Sequence, residues 1–260
     1  MATKKSDSND EIQVLQVKRG RIEVCILGSS PILFHRMGSK ARRELLMPSP
    51  KKKAAEKAST LKHDPYFEFR DSADQDPNPK AETLLLHKTS AFKSAMRGAA
   101  IDMPGGATKA AIGRLAYVNG DWTPIFGIPK LHMDVVRMSD INRTPDIRTR
   151  IVCPEWACRI SVTFTEPILK KQAVMNLLAG AGITQGIGDG RPEKGKLNYG
   201  CFDLVDEDNK DFQRVIRDGG RAAQLEAMKI PECYDAQTAE LLGWFTDEAT
   251  RREFDIQLEA

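Results

Sequence analysis

The chain has 260 residues, of which 41% are hydrophobic, 29% charged and 7% aromatic. This is enough for one large domain or two small ones with a buried core, and it excludes collagen-like, disulfide-scaffold and wholly disordered classes. No window approaches the roughly 20 uninterrupted apolar residues of a membrane-spanning helix, and the opening MATKKSDSNDE is polar rather than a signal peptide, so the expectation is a soluble cytoplasmic protein with no membrane partner.

The formal charge of +3 conceals an asymmetry. Residues 1–60 carry 13 basic and 6 acidic groups, residues 61–202 carry 19 and 15, and residues 203–260 carry 7 and 15. A basic body followed by an acidic tail points to a polyanionic partner, or to an acidic segment that docks on a basic surface. The five cysteines are an odd number and are expected as reduced thiols. Cys153 and Cys158, in CPEWAC, lack the usual zinc spacing and have no close histidine pair. Asp134, Asp140 and Asp146 are scattered among arginines rather than convergent, so no metal and no other cofactor is expected.

In chain order, residues 1–17 read as a mobile polar arm. RIEVCILGSS alternates Ile22, Val24 and Ile26 and predicts the first strand. A basic, proline-bearing insertion occupies about 38–80, with Tyr66, Phe67 and Phe69 as a short strand or anchor within it. A helix is predicted from Thr89 or Ser90 through AFKSAMRGAAI, and a second through ATKAAIGRLAYV. Strands are expected over 125–137, 147–153 and 156–165, then a helix over 168–181 after Pro167. A glycine-rich loop follows, with Gly182, Gly186, Gly188, Gly190, Gly195 and Gly200, and YGCFDLV closes the core as a strand. The acidic tail, 206–260, predicts helices near 210–229 and 236–256 that bury Phe212, Val215, Ile216, Leu241, Leu242, Trp244 and Phe245. The order is α+β, with the strand, helix, strand, strand, helix, strand skeleton of a ferredoxin-like (RRM-like) antiparallel sheet, its helices on one face.

The glycine loop carries the most specific signal. A helix precedes it and a strand follows, so it is neither a P-loop nor a dinucleotide fingerprint. Arg191, Lys194 and Lys196 within it offer charge to phosphates. RTPDIRTR, with Arg143, Arg148 and Arg150, reads as a finger-like hairpin that tracks a backbone or reaches a neighbouring subunit. Tyr117, Trp122, Phe126, Trp156 and Tyr199 lie near basic residues or loops, and of these Trp122 and Tyr199 are the expected stacking platforms for unpaired bases.

A glycine-rich loop between the second helix and last strand resembles the hallmark of the RAMP superfamily, the repeat-associated RNA-binding proteins of CRISPR systems. LLLHKTSAFKSAMRGAA is similar to that family's strand-to-helix passage, with Thr89, Ser90, Lys93, Ser94 and Arg97 as its hydroxyl and basic residues. RTPDIRTRIVCPEWACRISVTF resembles phage-encoded proteins of unknown role, which implies a phage-infected bacterial cell as the setting. The resemblance covers about residues 20–205. It departs from the family in the wider spacing of Gly195 and Gly200 and in the acidic tail.

The resemblance implies a non-catalytic protein that binds single-stranded RNA or DNA and multimerises along it, alone or with other subunits of a nucleoprotein complex. Lys93, Arg97, Lys109 and Arg114 would contact phosphates together with the hairpin arginines and the loop cations. Two alternatives stand beside it. One is a metal-independent RNA endonuclease using His35, whose imidazole titrates near neutrality. The other is a structural or partner-docking protein of a phage assembly.

Overall fold

The computed structural model describes residues 15–47, 62–103, 105, 108–137, 143–195 and 197–254. The start of the expected arm, the middle of the basic insertion, Asp140 and Lys196 lie outside these. The elements run β1 (Lys18–Gly28), β2 (Ile32–Leu33), α1 (Ser39–Leu46), α2 (Pro65–Asp71), β3 (Asp74–Gln75), β4 (Leu85–Lys88), α3 (Ser90–Asp102), α4 (Lys109–Leu115) and β5 (Ala116–Val118). They continue with β6 (Trp122–Pro124), β7 (Lys130–Arg137), β8 (Pro145–Cys153), β9 (Ala157–Glu166), α5 (Lys171–Thr184), β10 (Phe202–Val205), α6 (Lys210–Asp218), α7 (Arg221–Lys229) and α8 (Ala236–Arg251).

The chain is α+β with antiparallel sheets. The main sheet has the order β10-β1-β9-β5, and every neighbouring pair in it is antiparallel. β1 and β5 therefore run the same way with β9 inserted between them, and β9 and β10 run the same way with β1 between them. Alternation in β1 sends Ile22, Val24 and Ile26 to the face covered by α3 and α5, where they join Phe92, Met96, Ala99, Val174 and Leu178 in one core. The Phe92 and Phe202 rings meet edge-on at 5.9 Å within it.

α3 and α5 cover one face of the main sheet, and the tail begins on the other. Phe212 and Val215 of α6 pack on the opposite face with Phe126 and Ala157, over Cys25, Leu27 and Val205. The outward positions of β1 are apolar near its end, and that surface needs a cover.

The remainder of the tail is joined to the body by buried polar contacts. Gln224 in α7 is fully buried. Its Oε1 accepts from Leu84 N at 2.6 Å and Leu85 N at 3.0 Å, and its Nε2 donates to the carbonyls of Ile125 at 2.8 Å and Gly127 at 3.1 Å. In α8, Thr238 Oγ1 accepts from Met133 N at 3.2 Å. Leu242 is buried, and Leu241 and Phe245 pack on the core. Trp244 departs from the sequence expectation, being 66% exposed: it lies two positions past Leu242, on the opposite side of α8.

β7 and β8 pair from Lys130↔Val152 to Arg137↔Pro145, which forms the expected hairpin, and β2 adds to its other edge. Local chemistry corrects three expectations. Tyr66 to Phe69 are helical, because Pro65 opens α2 and Asp64 caps it by accepting from Phe67 N. The helix expected to run on through Tyr117 stops at Leu115, and Ala116–Val118 is the edge strand. Gly219 and Gly220 divide the helix expected over 210–229 in two.

Candidate nucleic-acid interface

The glycine-rich loop leaves α5 after Thr184 and returns to β10 through a set of backbone bonds. Ile187 N donates to Gly200 O at 3.0 Å, Asp189 N to Leu33 O at 2.8 Å and Gly200 N to Pro31 O at 2.7 Å. Gly186, Gly188, Gly190, Gly195 and Gly200 all have positive φ. The requirement is sharpest at Gly200, where φ is +71° and a Cβ would stand 1.8 Å from Ile187 O. Gly182 lies within α5, where it allows close approach to Phe202 O. The glycines let the loop fold onto the strand ends, and these loop amides are spent on internal carbonyls.

A cleft of about 250 Å³ lies between this loop and the start of α3. His35, His87, Ser94, Asp189, Arg191 and Glu193 bring its polar groups. His35 Nε2 lies 3.0 Å from Arg148 Nη1. Desolvation lowers the His35 pKa, against Asp189 and with Arg148 and Arg150, so its imidazole is neutral at pH 7. Burial lowers that of His87 likewise. His87 was absent from the sequence candidates, because only folding brings β4 to the glycine loop.

The expected cations fall into two kinds. Arg150 is buried: its Nη2 binds both oxygens of Asp134 at 2.7 Å and its Nη1 pairs with Asp189. Arg191 donates to Gly188 O at 2.8 Å and to Glu193 Oε2 at 2.8 Å. Arg150 braces the loop from inside, and Arg191, half-buried, braces it from the cleft wall. Lys93, Arg97, Lys109, Arg114, Arg143, Arg148 and Lys194, by contrast, make no ion pair among the described residues.

Four of these free cations gather on α3 and α4. Ser90, Ser94 and Arg97 share the exposed stripe of α3, and Arg97 Nε donates to Lys109 O at 3.3 Å, which joins α3 to α4. Lys93 Nζ sits 5.6 Å from the centre of the Tyr117 ring, which is 54% exposed on the edge strand β5. Lys88 Nζ sits 5.9 Å from the Trp122 ring, which is 42% exposed on β6. Ser94 belongs both to this stripe and to the cleft wall, so the basic, aromatic-bearing surface meets the glycine loop. Arg143 and Arg148 belong to the hairpin.

The aromatic expectations divide in the same way. Trp122 is presented to solvent. Tyr199 is half-buried, 6.5 Å from the His132 ring, and burial raises its phenol pKa. Phe126 and Trp156 are buried, with Trp156 Nε1 donating to Ser30 O at 2.8 Å. The signal for Tyr117 was its place between buried Ala116 and Val118, which fixes its ring on the outer side of an edge strand. Asp134 and Asp146 are engaged by Arg150 and by Lys62 and His63, and no cluster of three or more metal-ligating side chains occurs among the described residues. No helix among them is long and apolar enough to cross a membrane.

No protein-family model and no curated protein matches the chain. Among solved structures, a chain of the cryo-EM structure of the type III-B Cmr-beta bound to cognate target RNA is similar at 12% identity, with a TM-score of 0.38. The similarity covers 73% of this chain and 60% of that one, so the chain spans less than two thirds of its length.

Proposed function

We propose that the chain is a non-catalytic, RAMP-like protein that binds single-stranded nucleic acid and multimerises along it. The observation that carries this reading is the surface of α3, α4, β5 and β6. There Lys93, Arg97, Lys109 and Arg114 have no carboxylate partner among the described residues, and Lys88 and Lys93 lie over half-exposed aromatic rings. Unpaired cations track a phosphate backbone, and rings beside them stack on splayed bases irrespective of sequence. The ferredoxin-like reading of the core is supported by two interleaved strand-helix-strand units in the order β10-β1-β9-β5, with the glycine loop between the second helix and the last strand.

Titration of labelled single-stranded RNA and DNA at two salt concentrations tests the reading. Affinity is expected to fall as salt rises, with a slope of about −0.7 per neutralised phosphate. Lys93→Ala, Lys109→Ala and Arg114→Ala together should flatten that slope by about 2. No binding at low salt, or binding indifferent to salt, overturns it.

A second reading, metal-independent RNA cleavage, is favoured by one feature: His35 and His87, both neutral at pH 7, line the same cleft. It requires cleavage in the presence of a chelator that is lost in His35→Ala while binding is retained.

A further inference from the structure

Among the described residues, two surfaces have no partner, and they complement each other. The first is on α8. Trp244 is 66% exposed, and Glu240 and Asp247 stand about one turn before and after it on the same stripe. Both carboxylates are exposed and make no ion pair among the described residues, whereas Glu248 on the adjacent stripe is held by Arg251 and Arg252. A large ring flanked by free carboxylates is poorly suited to a phosphate backbone, which the acids would repel. It is well suited to an apolar side chain flanked by cations.

The second surface is α1, in the basic insertion. None of its residues is buried. Leu45, Leu46 and Met47 are exposed by 74%, 83% and 79%. Arg42 and Arg43, one turn earlier, make no ion pair among the described residues, and nor does Lys40; Glu44 is the single acid. The visible tether is at the start of the helix, where Ser39 N donates to Asp71 and Arg36 pairs with Asp71 and Asp74. An eight-residue helix with no buried face gains nothing from the core to offset its nucleation cost. Three consecutive exposed apolar residues beside free cations form a docking element. Within one chain the two surfaces do not cover each other, because both are open to solvent.

We propose that α1 of one copy docks on the Trp244 face of α8 in the next copy. Leu45, Leu46 and Met47 cover the indole, and Arg42 and Arg43 meet Glu240 and Asp247. The two patches are different surfaces of the same molecule, so the contact is head-to-tail and leaves one free α1 and one free α8 at the ends, which propagates a row. This deepens the multimer of the proposed function and rests on that reading for the strand along which the row lies. The contact itself is made by protein alone.

The test measures the mass of the full chain, freed of nucleic acid, by sedimentation across a concentration series. Wild type should associate in a concentration-dependent and salt-sensitive manner. Arg42→Glu with Arg43→Glu should be monomeric, and so should Glu240→Lys with Asp247→Lys. An equimolar mixture of these two variants should associate again, because each α1 then meets an α8 of opposite charge. Trp244→Ser should be monomeric alone and when mixed with Glu240→Lys/Asp247→Lys, and should form only a one-to-one pair with Arg42→Glu/Arg43→Glu, whose α8 face is intact; circular dichroism and urea unfolding confirm that each variant is folded.

A wild-type chain that stays monomeric at every concentration overturns the proposal. So does a charge variant that associates like wild type, or a mixture that stays monomeric. A monomer that still binds single strands refutes the contact alone. A chain that associates but binds no single strand refutes the nucleic-acid reading and leaves the contact standing.

Discussion

Arg150 and Asp189 are 39 residues apart in the chain, yet they form an ion pair that fastens the β7–β8 hairpin to the glycine-rich loop. The same guanidinium holds Asp134 on the neighbouring strand, and only 6% of the Arg150 side chain is exposed. The pair therefore sets the position of the loop against the hairpin and, through Asp189, one wall of the cleft.

Removing Arg150 leaves two carboxylates facing each other across the space it filled. Asp134 and Asp189 retain some solvent, so Arg150→Met is expected to cost roughly 2 to 3 kcal/mol, below the range for a fully buried pair. Urea unfolding of the variant checks this. Arg148→Ala, at a half-buried neighbour that makes no ion pair among the described residues, should leave the midpoint nearly unchanged while weakening strand binding.

Gly200 and Gly195 have nearly the same φ, +71° and +72°, but different surroundings. A Cβ at Gly195 meets nothing within 4 Å, whereas at Gly200 it would collide with Ile187 O. Gly195→Ala should therefore cost about 1 kcal/mol from the left-handed backbone alone. Gly200→Ala should cost at least about 2 kcal/mol and displace the loop, because the obstacle is backbone. Comparing the two unfolding midpoints separates conformational strain from collision.

Gln224 joins α7 to β4 and to the β6–β7 connection, accepting from two amides and donating to carbonyls. Gln224→Glu preserves the shape and the acceptors but loses the donors, and it places a charge in a dry site. A loss of roughly 3 kcal/mol is expected by denaturant unfolding. Removing the acidic tail should expose Phe126 and Ala157, which α6 covers, and raise binding of a hydrophobic dye.

His63 lies between two carboxylates, with Nδ1 2.7 Å from Glu68 Oε1 and Nε2 3.0 Å from Asp146 Oδ1. The Glu68 hydrogen bond chiefly raises its pKa, against desolvation and with help from Asp146. A pKa raised in the native state stabilises fully below the unfolded value of about 6.5 and ceases to do so as pH rises through the native value. His35 and His132, lowered by burial, act oppositely: what they contribute is present above about pH 6.5 and is lost as pH falls through their native values. His63→Gln should remove the alkaline part of the pH dependence, by less than about 1 kcal/mol because the pairs are partly solvated. Unfolding midpoints of wild type and variant at acid and at mildly alkaline pH measure the difference.

Periodicity in the sequence was sufficient for β1, β9, α3 and α5, because each has one buried face with a regular apolar repeat. The same arithmetic located the hairpin, the glycine loop and the acidic tail, and it picked Lys93, Arg97, Lys109, Arg114 and Trp122, which the fold presents outward. It had no means of separating these from Arg150 and Arg191, since a free arginine and a buried clamp are spelled alike. Only the tertiary structure brought Asp134 and Asp189 to Arg150, His87 to the glycine loop and the Tyr117 ring under Lys93. It also turned Trp244 away from the core while α6 closed the back of the sheet. Local pattern fixes which face of an element is apolar; which charges find partners depends on contacts between distant segments, and those exist only once the elements have packed.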